Sequence, residues 1–252
     1  MGDFEVRYDV TDRVGTLTVS HPPVNALTYE QIGRLREELH TIPREDELAV
    51  VVQTAGSKAF MGGHDIGDLE TSTAKTERDG TDTYMAFLEE LYELSIPTVA
   101  AIDGPALGTG LVVACFCDLR VVAPSATLGL PEIDVGLAAG YRPVRRQFPD
   151  GIARYMALTG KTIDGDHAYR LGFASERSES PKEDANKLAR EIAAKSPDAV
   201  EAFVGLINRH QPEWPMTDFR RERRRTEELM LGDNAAEARE AFFEGRDPEF
   251  DR

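Results

Sequence analysis

The chain has 252 residues, 41% of them apolar and 29% charged, a length that fits one large domain or a core with an appendage and a composition that excludes a disordered chain. Forty-five acidic residues against 29 basic ones leave a formal net charge of −16, which argues against a nucleic-acid partner because phosphate backbones are held by basic surfaces. No apolar run approaches the roughly 18 residues of a membrane span, and Met1 to Val10 has no basic segment leading into an apolar one, so neither a membrane anchor nor a secretory leader is expected.

Phe4 to Val10 and Val14 to Ser20 place β-favouring residues on either side of Thr11-Asp12-Arg13, the pattern of a hairpin. A helix comes next: Thr28 and Gln31 form a capping box, Leu27 and Ile32 a hydrophobic staple, and Ile32, Leu35 and Leu39 share one face. Leu48 to Thr54 and Thr98 to Ile102 are short apolar runs typical of buried parallel strands. Between them lie a Gly-rich loop, Ala55 to Gly67, a polar stretch, Thr71 to Gly80, and a helix ending at Ile96 before Pro97. A second Gly-rich loop, Asp103 to Gly110, leads into a buried helix over Leu111 to Cys117 and a strand over Leu119 to Ala123. Cys115 and Cys117 sit too close together for an easy bridge, which points to a reducing, cytoplasmic setting. From residue 150 onward the chain reads as almost wholly helical, with Gly160 and Gly172 as ends and Ser180-Pro181 and Ser196-Pro197 as starts. Strands mixed with helices first and helices last make an α/β fold.

The Gly-rich loops are the first candidates for chemistry. Each lies after a parallel-type strand, where ligands of α/β sheets bind, and glycine lets backbone N–H groups come close to a substrate oxygen. Phe60-Met61-Gly62-Gly63-His64-Asp65 is one; Ala106-Leu107-Gly108-Thr109-Gly110 is the other, and it opens a helix whose N-terminus favours negative charge. Taken singly, such loops are more often structural. Together they can pinch one developing oxyanion. Neither carries a dinucleotide fingerprint or a phosphate-loop lysine. Glu132 stands among Leu128, Leu130, Ile133 and Leu137, a setting that raises a carboxyl pKa toward the range of a proton shuttle. The competing reading is a solvent-facing glutamate in a short loop. The five histidines have no metal-ligand spacing, and no metal is expected.

Taken in order, these segments resemble the crotonase superfamily, the enoyl-CoA hydratase and isomerase family, over essentially the whole chain. Pro23-Val24-Asn25-Ala26-Leu27 is similar to its P-x-N-A-L segment, Lys58-Ala59-Phe60-Met61-Gly62-Gly63-His64-Asp65 to its K-A-F-x-A-G-x-D loop, and Ala106-Leu107-Gly108 to the start of A-x-G-x-G. Cys117-Asp118-Leu119-Arg120, Pro131-Glu132 with Gly136-Leu137, Leu158-Thr159-Gly160 and the tail from Phe242 to Phe250 match later marks. The resemblance implies a spiral of strand, strand, helix units over residues 1–195 and a helical region over 196–252 that builds trimers or a dimer of trimers. It also implies an acyl-CoA thioester as substrate, coenzyme A entering only as part of that substrate and no separate cofactor. The thioester oxygen would be held by the backbone N–H groups of His64 and Thr109. Val24, Ala26, Lys58, Phe60, Gly62, Gly63, Asp65, Gly108, Gly110, Val112 and Leu137 would line the acyl and coenzyme A path, with Phe242 over the adenine.

Hydratases of this family use two glutamates, and the first of them falls at Val112. Only Glu132 remains. Hydration needs a positioned water as well as a proton, whereas moving a double bond needs one base and a stabilised dienolate. The helix 110–118 and the segment 129–137 also look like the mitochondrial 3-enoyl-CoA to 2-enoyl-CoA isomerase branch, so the expected reaction is that isomerisation. Hydration, with Asp65 or Asp134 as the second acid, stays open, as do thioester decarboxylation, hydrolysis and a catalytically silent trimer partner. Only six of the basic residues are lysines, a balance seen in proteins of high-salt cytoplasm and also in ordinary acidic bacterial enzymes. The run Arg220 to Arg225 reads as a helix face paired with Glu222, Glu227 and Glu228; contact with the coenzyme A phosphates is its alternative, for which Arg246 and Lys58 are rivals.

Overall fold

The computed structural model describes residues 2–42, 47–67, 74–209 and 215–250. Its main sheet has six strands in the order β1 (Glu5–Thr11), β2 (Val14–Ser20), β4 (Ala49–Ala55), β6 (Thr98–Ile102), β8 (Leu119–Val122) and β11 (Glu176–Arg177). Only the β1–β2 hairpin is antiparallel; from β2 onward every pairing is parallel. Its turn places Asp12 and Arg13 at φ 53° and 64°, the left-handed pair that a tight hairpin requires. The capping box on α1 (Tyr29–Leu39) is present, Gln31 N donating to Thr28 Oγ1 at 3.3 Å and Thr28 N to Gln31 Oε1 at 2.9 Å.

β6 is buried at all five positions, as expected of a parallel strand covered on both faces. One face packs against α1 and α2 (Ala74–Glu93) in the main core. The other, carrying Val51, Val99, Ala101 and Val121, packs against Ala185, Ala189 and Ala193 of α7 (Pro181–Ala193). Three of the expected boundaries move. The stretch 74–80, part of the polar stretch read as lying before the helix, is the first part of α2, where Gly80 lies so close to Tyr29 that a Cβ would come within 2.3 Å of its ring; residues 71–73 lie outside the described set. α2 ends at Glu93 rather than Ile96. The region beyond residue 150 also holds two short strands, β10 (Ile163–Asp164) and β11, which are held by pairing with the segment Thr127–Gly129 and with β8 rather than by any pattern of their own.

A second band of very short strands lies beside the sheet. β3 (Ala26–Leu27) pairs with β5 (Gly63–His64), Met61 bridges to Ala106, and β7 (Ala106–Leu107) pairs with β9 (Thr127–Gly129), all parallel. Backbone bonds stitch the band together: Gly62 N to Val24 O at 2.9 Å, Leu107 N to Met61 O at 3.0 Å and Gly108 N to Gly129 O at 3.0 Å. Asn25, fully buried, fixes one end of it, donating from Nδ2 to Ala59 O at 2.9 Å and accepting from His21 N at 2.7 Å. The remaining helices are α3 (Thr109–Phe116), α4 (Tyr141–Gln147), α5 (Asp150–Thr159), α6 (Gly165–Arg170), α8 (Pro197–Arg209), α9 (Pro215–Met230) and α10 (Asp233–Glu244). α9 belongs to the main core through Phe219, which is 4% exposed.

Candidate active site

Because the short strands run parallel, their carboxyl ends reach the same edge, and the segments leaving those ends meet there. His64 ends β5, Gly108-Thr109 comes directly after β7, and Leu130-Pro131-Glu132 directly after β9. Glycine makes the close approach possible. Gly108 has φ 51° and ψ −120°, and a Cβ on it would come within 2.5 Å of Glu132 Oε1; at Gly110 a Cβ would come within 2.3 Å of Met61 O. α3 is buried at every position after Thr109, so its N-terminus is anchored by an apolar plug and its first N–H groups face the edge where the loops meet.

Glu132 lies in a 3-10 turn, Pro131–Val135, that starts on proline and ends on Gly136 at φ 74°. Leu137 N donates to Glu132 O at 2.9 Å and holds the turn against the cavity. The carboxyl Oε2 is buried with no hydrogen-bond partner among the described residues. Burial raises its pKa from 4.5 to about 8; a hydrogen bond from its own backbone N–H opposes this, and the charges of Glu222 and Asp134 add to it. Glu222 reaches in from α9, where its two oxygens accept from Tyr141 N at 2.7 Å and Arg142 N at 2.8 Å and so cap α4.

Glu132, His64 and Thr109 line one cavity of about 100 Å³, together with Leu137. Its other walls include Tyr29 of α1, Tyr84 and Met85 of α2 and Phe219 and Met230 of α9, which the sequence did not single out, and Arg223 and Glu227, which it placed on a charged helix face. Glu132 also borders a wider pocket of about 820 Å³ with Ile133, Arg142, Leu158, Arg221 and Glu222. The Tyr29 ring lies 4.1 Å from the imidazole of His64. Tyr84 packs edge-on against Phe219, centroids 6.2 Å apart, and burial keeps its phenol protonated well above the usual range.

The other expected site residues separate into groups. Gly62, Gly63, Gly108 and Gly110 shape the loops that carry His64 and Thr109. Ala26 pairs with Gly63 in the band, and Val24, 48% exposed, and Lys58, also exposed, lie on the outer side of it. Phe60 and Val112 are core residues: Phe60 is 0% exposed, and Val112 is 2% exposed and faces Gly140 beside Leu130. Asp65 accepts from Gly67 N at 2.9 Å, and Asp134 packs over Gly160; neither carboxylate lines the cavity. Phe242 is 53% exposed and sits edge-on to Phe243 at 5.8 Å, away from both pockets. The arginine run is largely ion-paired: Arg220 with Glu89 at 2.9 Å, Arg223 with Asp82 and, at 3.1 Å, Glu227, and Arg225 with Glu228 at 2.7 Å. Arg246 pairs with Glu237 and Glu244 at 2.6 Å each. The thiols of Cys115 and Cys117 are buried and pushed up to about 12, which leaves them inert. Among the described residues no helix is long and apolar enough to cross a membrane, and no cluster of His, Cys, Asp or Glu could hold a metal ion.

Residues 9–252 match the family model described as enoyl-CoA hydratase/isomerase. A probable enoyl-CoA hydratase of Bacillus subtilis is 29% identical over 247 residues, covering 94% of this chain and 95% of that one. The glyoxysomal fatty acid beta-oxidation multifunctional protein MFP-a of Cucumis sativus is 35% identical over 171 residues, and the match spans 23% of that longer protein. Among solved structures, an enoyl-CoA hydratase/isomerase from Pseudoalteromonas atlantica superposes with a TM-score of 0.87 at 26% identity over 98% of this chain and 99% of the other.

Proposed function

The chain belongs to the enoyl-CoA hydratase/isomerase family of the crotonase superfamily, and from that premise we propose that it moves a 3-enoyl-CoA double bond to the 2-enoyl position with Glu132 as its one proton carrier. The observation that carries this reading is the buried Glu132 carboxyl, its Oε2 without a hydrogen-bond partner among the described residues, set against the glycine loop that precedes Thr109, with valine at position 112. The Glu132 carboxylate removes a proton from C2 of the 3-enoyl thioester. The C–H electron pair moves into the conjugated system and the negative charge spreads onto the thioester oxygen, held by the N–H groups of His64 and Thr109. The same carboxyl then returns the proton to C4, which leaves the double bond between C2 and C3. A base with a pKa of about 8 takes and returns a proton near neutral pH without being trapped in either form.

Hydration of a 2-enoyl-CoA is the second reading. The names of the relatives favour it over isomerisation, and one residue of this chain does so too: Glu227 places a carboxylate on the same cavity, where it could orient water once freed from its pair with Arg223. Turnover of 3-enoyl and 2-enoyl thioesters of several lengths separates the two. Double-bond migration lost in Glu132→Gln and kept in Glu227→Gln fits isomerisation. Water addition at a comparable rate that Glu227→Gln abolishes would replace it.

A further inference from the structure

Glu132 stands between two hollows. The small cavity, with His64 and Thr109 in its wall, holds about 100 Å³; the wider pocket, about 820 Å³, shares Glu132, Leu137 and Ala139 with it but includes neither His64 nor Thr109. Small-molecule pockets span roughly 300–1,000 Å³, so a thioester seated at the glycine loops finds room for its acyl chain past Glu132, in the wider pocket. The walls change character along the way. Leu130 and Leu137 are buried beside Glu132, and Leu158 and Phe250, 68% and 55% exposed, continue the apolar lining outward. Arg142 of α4, Arg154 of α5 and Arg221 of α9, all exposed, add guanidiniums from three different helices. The acids in the same lining are Glu132 and Glu222, and both oxygens of Glu222 are taken by Tyr141 N and Arg142 N. Arg154 pairs with Asp150 at 2.6 Å, and Arg142 and Arg221 have contacts of their own; a guanidinium carries five N–H donors, so such contacts do not exhaust it. In a chain of net charge −16, positive charge gathered around an apolar pocket marks a place that receives an anion.

We propose that the wider pocket is the acyl-end subsite and that it selects enoyl thioesters whose chain ends in a carboxylate, received by Arg142, Arg154 and Arg221. The leucines and Phe250 take the methylenes out of water, and the planar fork of a guanidinium matches the two oxygens of a carboxylate. A methyl-ended chain fills the same walls but leaves the arginines to water. The subsite acts on the end of the chain remote from the double bond, so it selects the same class of substrate for isomerisation and for hydration. The assignment rests on the thioester reading of the small cavity.

The test compares pairs of enoyl thioesters equal in length and different only at the far end, a methyl or a carboxylate, over several lengths. At the length that fits, kcat/KM of the carboxylate member is about tenfold higher at low salt, and the ratio shrinks toward one in molar salt. Arg142→Gln and Arg221→Gln each lower the ratio by about threefold, and the double variant brings it close to one. Arg225→Gln removes a charge from α9 at a residue that lines neither hollow and pairs with Glu228, and it keeps the ratio. Calorimetry with the saturated members of each pair reads the same preference as a difference in Kd, without turnover. A ratio of one or less at every length, or a ratio that the arginine variants do not change, would overturn the assignment. So would variants that weaken free coenzyme A as much as the carboxylate thioester, since the arginines would then serve the phosphates. A carboxylate preference in binding with no turnover of any enoyl thioester would overturn the proposed reaction and leave the subsite in place. Turnover of methyl-ended thioesters with no carboxylate preference would do the reverse.

Discussion

In the six-stranded sheet, β2 and β4 pair along seven residues and bury apolar side chains on both faces, so each strand is held many times over. In the band beside it, β3, β5 and β7 hold two residues each, and their places are set by backbone atoms meeting through Gly62, Gly108 and Gly110. The first region draws its stability from side-chain area removed from water. The second draws its precision from the absence of side chains, which lets a carboxyl and two loops crowd within a few ångströms. Fold and reaction are therefore damaged by different substitutions.

Glu132→Gln gives the widest separation. Loss of the proposed proton carrier should lower kcat by about 10² to 10⁴-fold, while the native structure is kept, because glutamine replaces a carboxyl that, with its pKa of about 8, is mostly protonated in the folded protein at pH 7. The raised value also fixes the pH dependence. Unfolded chains release this proton near 4.5 and folded ones near 8, so native stability declines as pH climbs through that window and levels off above it. The glutamine variant lacks that slope and should melt higher than wild type from about pH 5 upward, with the full difference reached above about pH 8. Conversely, the proposed isomerisation, which starts from the carboxylate, should rise with pH to a plateau above about 8.

Gly108→Ala comes next and attacks the band directly. The new methyl lands 2.5 Å from Glu132 Oε1 on a backbone at φ 51°, and a displacement of that size in a catalytic group costs about 10²-fold in rate; a kinetic assay with circular dichroism as control checks both halves. Leu17→Ala tests the sheet. Leu17 is 1% exposed in the main core, so denaturant unfolding should show a loss of about 2–5 kcal/mol with turnover per folded molecule retained. If that variant also loses kcat, the two regions are not separable. The smallest effect belongs to Glu222→Gln, which keeps an acceptor for the α4 cap but removes a charge that raises the Glu132 pKa. The rising limb of the pH profile should move toward acid, a gain of about twofold in rate at pH 7.

The same contrast decides what could be read before a structure. Seven-residue strands, the Thr28 capping box and the glycine helix ends carry period or capping chemistry, and all of them stand within one residue of where the sequence places them. Two-residue strands have no period, so the band was visible only as Gly-rich loops. Glu132 was legible because a charge among leucines is conspicuous. Tyr29, Tyr84 and Met230 were not, since an aromatic or methionine on a helix looks the same whether it packs a core or walls a cavity. Phe60 shows the converse: it lies in the loop motif and yet is wholly buried in the core.

α9 closes the cavity with Phe219, Thr226 and Met230, and a ribosome makes those residues after every strand of the sheet. A nascent chain halted after Arg209 would thus expose Glu132 to water, and its carboxyl would titrate like any surface acid, too weak a base for carbon. Synthesis itself delays the onset of catalysis: the protein acquires its reactivity with its closing helix, once the sheet that supports it already exists.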